Sequence, residues 1–486
     1  MNIQSSTSAA PLARKTFTYN PQDKAVLPDQ TVELDVRSND GHPETDTVVF
    51  ANKKAVFGPF GDLRDIVDDP KHKLPENASG NYDYPLGHAN HTDSAAFASS
   101  ALTVELFNNK LQEKTGKTID WAFGEKQLQI SPETGNWPNA FYARELKGVH
   151  FFDYKTTSTG DSGEVGSHEV GHAILDAVRP GYLEGVGTET GAFHEAFGDI
   201  LSQVVTLQND AAIDKIVAET NGTGDLSSKR NSLSDVGEDF GNALGLKGGI
   251  RTTLNEFKYA DPATLPERGS DTKLGSEVHD FARLYAGAFY DVLDGISDAN
   301  RAAGMSPAAA LKEAGKEALN LVVGQAEFAP KGSEATYAQL AAGLLEADKQ
   351  FNDGKRSELI AGVMSNREIL SAEAAGGLFK SEAPAFSGQV VNKEMTFGQE
   401  FGTLAGVKFE TQVDLPITGL FASEPVGSNQ IETGVKTLLA NDEILFTDSA
   451  KPSLAEIFKP DGEYYKAYVT TNEAGEKVLK RTHIAG

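Results

Sequence analysis

The stretch from Gly163 to Ile200 constrains this chain most, because it sets ionisable side chains on two helical patterns. Its first half contains His168-Glu169-Val170-Gly171-His172. Residues four apart lie on one face of a helix, one turn above the other. The two imidazoles can therefore reach one Zn²⁺ at about 2.0–2.1 Å. Glu169, rotated by about 100° on the helix, borders the metal and can take a proton from water.

The second pattern, GAFHEAFGDI, supplies a further carboxylate pair. Glu195 follows His172 by 23 residues, and Asp199 lies four residues further on. Apolar neighbours surround both carboxylates, and buried carboxylates are costly unless they are paired or bound to a metal. We predict that Glu195 is the third ligand. Asp199 is expected to hydrogen-bond the far nitrogen of His168 and to fix its orientation.

Both patterns have structural alternatives. His168 and His172 could be hydrogen-bonded histidines on an amphipathic helix, and Glu195 and Asp199 an exposed acidic pair. A catalytic zinc takes three protein ligands and keeps a fourth position open. The presence of a third candidate ligand therefore favours a metal site.

Composition limits the remaining chemistry. The 486 residues contain no cysteine, so disulfides, thiol catalysis and cysteine-held metals are excluded, and any metal must be bound by His, Asp or Glu. With 44 Lys+Arg against 70 Asp+Glu, the net charge is −26. An acidic surface of this kind repels phosphate, so we expect neither nucleic-acid binding nor attraction to anionic membranes.

The pattern of apolar runs, Gly and Pro divides the chain into four segments. We predict a polar tail over 1–15, a β-rich lobe over 16–163, a helical lobe over 164–372 and a small β-rich domain over 373–486. The segment 207–275 reads as loop-rich. Helices are predicted at 92–116, 164–178, 191–206, 276–293, 307–323, 336–351 and 356–369.

HEVGH and EAFGD together resemble the thermolysin-like zinc metallopeptidases of the gluzincin group, and the likeness extends over about residues 80–370. The resemblance implies an α+β fold with an active-site cleft between a β-rich N-terminal lobe and a helical C-terminal lobe. The segment 373–486 is an addition that the resemblance does not explain. The chain has His194 before Glu195, where the family usually has Asn.

Further site residues are implied by family order alone. Asn139 and Ala140 resemble the edge strand that holds an extended peptide by strand addition. Arg251 resembles the arginine that binds a substrate carbonyl, and His279 resembles the histidine that stabilises the transition state. Tyr182 is the tyrosine that could help to hold the oxyanion.

The resemblance also suggests a specificity pocket and a second kind of metal site. Val165 and Ile250 would help to line an apolar pocket, which implies cleavage before Leu, Ile, Val or Phe. Glu164 and Glu238 match acidic calcium-binding positions. Thr206 falls where another acidic ligand is expected, so a double calcium site would be incomplete.

Taken together, the sequence predicts a zinc endopeptidase in which Glu169 is the general base and a peptide or protein is the substrate. One alternative is a non-catalytic peptide-binding or interaction protein with a structural, degenerate zincin core. A second is an adhesion or interaction protein in which residues 373–486 carry the function and the zinc site only stabilises the fold. A closed structural zinc site would need a fourth ligand. His194 is the sequence candidate, but we discount it because its side chain should point about 100° away from Glu195 on the helix. An aminopeptidase of the wider group is disfavoured, because we find no segment that would bind a free amine.

The N-terminal stretch MNIQSSTSAAPLARKTF lacks the apolar core of a secretory leader. As written, the chain would be cytoplasmic; it would be secreted if a leader has been removed or a leaderless route is used. The apolar runs are far shorter than the ~20 residues of a spanning helix, so we expect a soluble protein. The oligomeric state stays open.

Overall fold

The fold is taken from a computed structural model, which describes residues 11–246, 248–381, 386–416, 428–459 and 462–486. The first ten residues of the predicted tail lie outside this range, and the first strand begins at Ala13. Helices and sheets both contribute to the fold, and the α+β prediction is confirmed at that level.

The first 160 residues alternate β-branched runs with turns, and these runs form one large sheet and two small ones. The large sheet has the order β1-β2-β3-β4-β7-β9-β8-β19, and β5 pairs with β6 and β10 with β11. The strands of this part are β1 (Ala13–Tyr19), β2 (Gln30–Asn39), β3 (His42–Glu44), β4 (Val48–Phe50), β5 (Lys53–Phe57), β6 (Leu63–Asp68), β7 (Leu128–Ser131), β8 (Ala140–Ala143), β9 (Gly148–Phe151), β10 (Asp153–Tyr154) and β11 (Thr157–Ser158), and β19 (Ile484–Ala485) comes from the far end of the chain.

Helices dominate from residue 163 to residue 380. In this part β12 (Asp235–Val236) pairs with β13 (Arg251–Thr252). The helices, including the long one inside the first part, are α1 (His91–Thr115), α2 (Gly163–Val178), α3 (Thr188–Thr206), α4 (Asp210–Glu219), α5 (Glu238–Leu244), α6 (Val278–Ala302), α7 (Pro307–Phe328), α8 (Tyr337–Phe351), α9 (Ser357–Asn366) and α10 (Ala372–Lys380).

Most predicted helices are present, with ends that differ by a few residues. Gly116 adopts a left-handed conformation with φ of 73° and ends α1, as its position predicts. The side chain of Ser306 caps α7 and Pro307 opens it. Helix α6 continues nine residues past the predicted end at residue 293, and the segment predicted to be loop-rich contains α4 and α5.

One large core joins the sheet to the helices. Helix α1 packs on β1 and α2, α2 packs on α3, and α3 packs on α6. Their apolar faces form a single buried cluster. The described residues include no helix that is both long and apolar enough to cross a membrane.

The C-terminal part contains a second sheet with its own core. Its five strands have the order β14-β15-β18-β17-β16, and Phe409, Val435 and Val469 belong to its buried cluster. Helix α10 instead adds Leu378 to the large core. The elements of this part are β14 (Phe386–Thr396), β15 (Lys408–Pro416), α11 (Ser428–Ala440), β16 (Ile444–Phe446), α12 (Leu454–Ile457), β17 (Ala467–Thr471) and β18 (Lys477–Arg481).

Candidate metal centre

Two glycines bring the predicted metal helices close together. A Cβ at Gly171 of α2 would lie 3.0 Å from Gly198 Cα, and a Cβ at Gly198 of α3 would lie 2.6 Å from His168 Nδ1. A larger residue at either position would displace the atoms that face it, so the two glycines permit this close approach. Ser162 caps the N-terminus of α2, because its side chain accepts a hydrogen bond from the backbone N–H of Val165.

The close approach places His168, His172 and Glu195 around one point. Glu195 Oε2 lies 3.4 Å from His168 Nε2 and 3.7 Å from His172 Nε2. Tetrahedral ligands of zinc are separated by roughly 3.3 Å, given bonds of about 2.05 Å. All three side chains are buried, and His172 Nε2 has no hydrogen-bond partner among the described residues. The donor set therefore fits a Zn²⁺ ion.

The second nitrogen of each histidine is held by α3. His168 Nδ1 lies 2.9 Å from Asp199 Oδ1, as the sequence predicts. His172 Nδ1 lies 3.0 Å from His194 Nδ1. Burial lowers the pKa of His194 to about 3 and that of His172 well below its ordinary value, so both rings are neutral and share one proton in this contact.

The contact defines a role for His194 that helix geometry alone does not show. If the proton is on His172 Nδ1, the lone pair of Nε2 faces Glu195, which is the tautomer that a metal ligand needs. In that tautomer His194 would orient His172 and would not itself be a fourth ligand. Its position directly before Glu195 is the only sequence signal for this role.

Glu169 is 4% exposed and lies beside the triangle formed by His168, His172 and Glu195. Burial raises the pKa of its carboxyl to about 8, and Glu195 adds to this, while His168 and Arg251 act in the opposite direction. Its Oε2 atom accepts no hydrogen bond from the described residues. A cation bound next to it would lower this pKa and leave a carboxylate that can accept a proton.

His279 reaches the triangle from the start of α6. Its Nε2 atom lies 3.2 Å from Glu195 Oε2, and its Nδ1 atom lies 2.8 Å from Glu277 Oε1. Burial lowers the pKa of His279, but Glu195 and Glu277 outweigh it and raise the pKa overall. Glu277 also caps α6, because its carboxylate accepts from the backbone N–H of His279. An acidic residue directly before a helix is a sequence signal for a helix N-cap, but the sequence prediction does not use Glu277 in this way.

Arg251 lies behind His168. Its Nε and Nη2 atoms bind the carboxylate of Asp199 at 2.7–3.1 Å, and Nη2 is 3.3 Å from the His168 ring nitrogens. Burial would raise the pKa of Asp199, but Arg251 and His168 outweigh it and hold that pKa at about 2. Asp199 is therefore ionised and can keep His168 oriented.

Tyr182 is predicted to reach the oxyanion, but its hydroxyl group is engaged elsewhere. It donates a hydrogen bond to the carbonyl oxygen of Pro330 at 2.8 Å, and its ring packs against Phe193. Of the two expected pocket residues, Val165 packs half-buried against the large core. The side chain of Ile250, which is the residue directly before β13, lies next to Gly237.

The strand predicted to hold a peptide is present and is already paired. Residues Ala140–Ala143 form β8, whose partner on one side is β19. Asn139 Oδ1 accepts from the backbone N–H of Ala140 at 2.8 Å, and its Nδ2 donates to the carbonyl oxygen of Gly462 at 3.4 Å. We call residues 462–486 the C-terminal strap.

The C-terminal strap also covers the triangle. Tyr464, Lys466 and Arg481 are each less than 9% exposed. Together with Glu195 and Ile484 they line a cavity of about 10 Å³, which is the volume needed for about one water molecule. No motif in the sequence predicts this cover, because Tyr464, Lys466, Arg481 and Ile484 lie far along the chain from α2 and α3.

A second group of buried carboxylates lies at the N-terminal end of α2. Glu164 and Glu238 come together there, and Asp23 joins them from the loop after β1. Burial and mutual repulsion raise the pKa of Asp23 to about 6 and that of Glu238 to about 8, and they raise the pKa of Glu164 well above its ordinary range. The sequence prediction pairs Glu164 with Glu238 but does not include Asp23.

Comparison with known proteins adds little to this geometry. No family model matches the chain, and no curated protein matches it. Among solved structures, the chain is similar to one titled "Precursor of Protealysin, Metalloproteinase from Serratia proteamaculans", with 15% identity and a TM-score of 0.33. The match covers 62% of this chain and 83% of that chain. A likeness this low carries no argument about fold or function.

Proposed function

We propose that this protein is a thermolysin-like zinc endopeptidase that hydrolyses peptide bonds before apolar residues. One observation carries the proposal: a buried triangle of two imidazoles and a carboxylate, in which His172 Nε2 has no hydrogen-bond partner within the described part of the chain and the carboxylate of Glu169 lies beside it. His168, His172 and Glu195 would hold Zn²⁺. The bound ion would supply Lewis-acid chemistry, polarising a carbonyl and making water more acidic.

The side chains around the triangle have separate tasks in this proposal. Glu169 accepts a proton from the attacking water and passes it to the leaving amine. His279 Nε2 donates a hydrogen bond to the oxyanion that develops on the carbonyl, and Glu277 keeps its ring in place. Tyr182 is not assigned to this step, because Pro330 occupies its hydroxyl group.

Substrate positioning is assigned to three groups. Asn139 and Ala140 hold the peptide backbone at the edge of β8. The bonds of Arg251 to Asp199 use Nε and Nη2, so we assign Nη1 to the substrate carbonyl. Val165 and Ile250 are proposed to line the pocket for the apolar residue after the cleaved bond.

The decisive test of the proposal is Glu169→Gln in the full chain loaded with Zn²⁺. Hydrolysis of a peptide with a central Phe-Leu bond should fall by about 10²–10⁴-fold, because the proton acceptor is lost. Zinc content, measured by atomic absorption, should stay at one ion per chain. Glu113→Gln, at an exposed position of α1, is the matched control and should leave both unchanged.

The alternative, a peptide-binding protein with a structural zinc, makes the opposite prediction. Glu169→Gln would then leave every measured property unchanged, and the zinc-loaded chain would bind the Phe-Leu peptide without cleaving it. Hydrolysis that the wild-type chain performs and the Glu169→Gln chain does not would exclude that alternative.

We further propose that Asp23, Glu164 and Glu238 bind one Ca²⁺ ion. Hard oxygen ligands are those that Ca²⁺ prefers, and a cation offsets the repulsion among three buried carboxylates. Millimolar Ca²⁺ should raise the thermal midpoint of the zinc-loaded chain, as measured by calorimetry. Asp23→Asn should abolish the increase, whereas Asp40→Asn, at an exposed turn, should not.

A further inference from the structure

The strand β19 occupies the edge at which a peptide substrate would be expected. It runs antiparallel to β8, with Ile484 opposite Ala143 and Ala485 opposite Tyr142. The backbone N–H of Arg144 donates to the carbonyl oxygen of His483 at 3.1 Å, which continues the ladder. Strand addition at a free sheet edge is how extended peptides are commonly bound. The chain thus holds its own segment in the place of a peptide.

The end of this segment reaches the proposed general base. A Cβ built on Gly486 would lie 2.6 Å from the carbonyl oxygen of Ala140 and 2.8 Å from Glu169 Oε2. Glycine is therefore the only residue that fits here without displacement, and its backbone fills the space between β8 and Glu169. A peptide cannot enter this space while Gly486 is there.

Several contacts hold β19 against β8. Ile484 is 4% exposed and packs in an apolar cluster with Trp137 and Phe141. The hydroxyl group of Tyr464 donates to the carbonyl oxygen of Ile484 at 3.1 Å. The ring of His483 lies between two carboxylates, 2.6 Å from Glu145 and 2.9 Å from Glu184. The pairing is therefore specific in register and chemistry.

The same contacts are few enough to be broken without unfolding the second sheet. β19 has only two residues, whereas the five-stranded sheet has a separate buried cluster. Short segments with few backbone bonds open locally at a lower free energy than the core of their domain. The end of the C-terminal strap can therefore leave β8 while β14–β18 stay folded.

We propose that residues 483–486, at the end of the C-terminal strap, are an autoinhibitory element: by pairing β19 with β8 they block the proposed substrate edge until a peptide or a partner displaces them. The inference rests on the proposed function, since it assigns the blocked edge to the peptide substrate. It adds that the chain is self-inhibited and that activity depends on the docking of residues 483–486.

The chain offers a direct test because it contains no cysteine. The bond from Arg144 to His483 marks their pair as hydrogen-bonded, so Ala143 and Ile484 form the adjacent non-hydrogen-bonded pair. Such pairs have Cα atoms about 4.5 Å apart, within the range of a disulfide. The double variant Ala143→Cys, Ile484→Cys should therefore close under oxidation and open under reduction.

Two readouts separate this inference from the proposed function. Binding of fluorescein-labelled Ala-Ala-Phe-Leu-Ala-Ala is measured by anisotropy in a Glu169→Gln background, and its hydrolysis is measured with Glu169 intact. We expect the oxidised form to bind the peptide at least tenfold more weakly than the reduced form, with hydrolysis reduced in parallel. Zinc content should be equal in both forms.

Equal peptide binding by the two forms would overturn the autoinhibition proposal, and hydrolysis by the oxidised form would do so while leaving the peptidase intact. If oxidation weakens binding but no form hydrolyses the peptide, autoinhibition stands and the proposed function falls.

A second variant acts in the opposite direction without a crosslink. Gly486→Val places a side chain against Ala140 and Glu169, so it should displace residues 483–486 from β8. Peptide affinity should then rise at least tenfold above that of the wild type. Gly475→Val is the matched control, because Gly475 also has positive φ (80°) but has no atoms within 4 Å of its Cβ position. Equal affinities in the two variants would contradict the proposal.

Discussion

The triangle of His168, His172 and Glu195 and the β8–β19 edge are neighbouring regions that depend on different kinds of information. The triangle is built from residues 168–199, on two helices that pack directly together. The edge joins His483 to Glu145, 338 residues earlier in the chain. A local helical repeat specifies the first region, and long-range register specifies the second. The comparison predicts that each can be disrupted while the other persists.

The largest effect is expected from His172→Ala, which breaks the triangle alone. Changing a residue that only orients a ligand typically weakens metal binding by about 10–100-fold. Removing one of the three proposed ligands should weaken zinc binding by more than this, and peptide hydrolysis should fall to background. Hydrogen exchange at Tyr142 and Ala485 should stay at its wild-type rate, because the β8–β19 pairing does not involve His172. Faster exchange there than in the wild type would show that the two regions are coupled.

The next effect acts on the edge alone, through the protonation of His483. Burial would lower the pKa of His483, but Glu145 and Glu184 outweigh it and raise the pKa from 6.5 to about 9. Arg144, which binds Glu184, the nearby Asp176 and Arg481, which also interacts with Glu184, are further charged groups around His483. Because docking raises this pKa, protonated His483 stabilises the docked state of residues 483–486 fully below pH 6.5. The stabilisation is lost as the pH rises through about 9.

Peptide affinity should accordingly rise with pH across this window, by at most roughly tenfold per pH unit. Anisotropy titrations of the Glu169→Gln chain between pH 6 and 10 measure it. His483→Gln should remove the dependence and leave zinc affinity unchanged. If peptide affinity still rises with pH in His483→Gln, the titrating group is a residue other than His483.

An intermediate effect is expected at His194, whose Nδ1 atom contacts His172 Nδ1 in the triangle. His194→Ala removes the partner of His172 Nδ1 and should weaken zinc binding by about 10–100-fold, as measured by competition with a chromogenic chelator. His194→Asn should recover much of the loss, because an amide can accept the same proton. Affinity unchanged in His194→Ala would mean that His194 is only a packing residue.

The smallest effect is expected from Gly198→Ala, which tests the approach of α2 to α3. The added Cβ would lie 2.6 Å from His168 Nδ1, and overpacking of this kind costs about 1–3 kcal/mol in the free energy of unfolding. Chemical denaturation measures it. Gly362→Ala, in α9 with no atoms within 4 Å of its Cβ position, is the control and should be neutral or slightly stabilising.

Much of the metal centre could be predicted because helical geometry converts spacing into proximity. His168, His172, Glu195 and Asp199 are brought together as the four-residue repeats imply. The contact of His194 with His172 could not be predicted in this way, because it depends on how α3 is rotated against α2. Tyr182 shows the same limit, since only the packing of residues near Pro330 decides where its hydroxyl group points.

By itself, the sequence determined the helix caps at Gly116 and Ser306, the metal-ligand chemistry forced by the absence of cysteine, and the two helices that carry that chemistry. These follow from interactions over a few residues, for which sequence distance and spatial distance agree. Only the tertiary structure decided that Asp23 joins Glu164 and Glu238, and that residues 462–486 cover the triangle and pair with β8. Such contacts depend on burial and strand register between distant segments, and no short repeat in the chain encodes them.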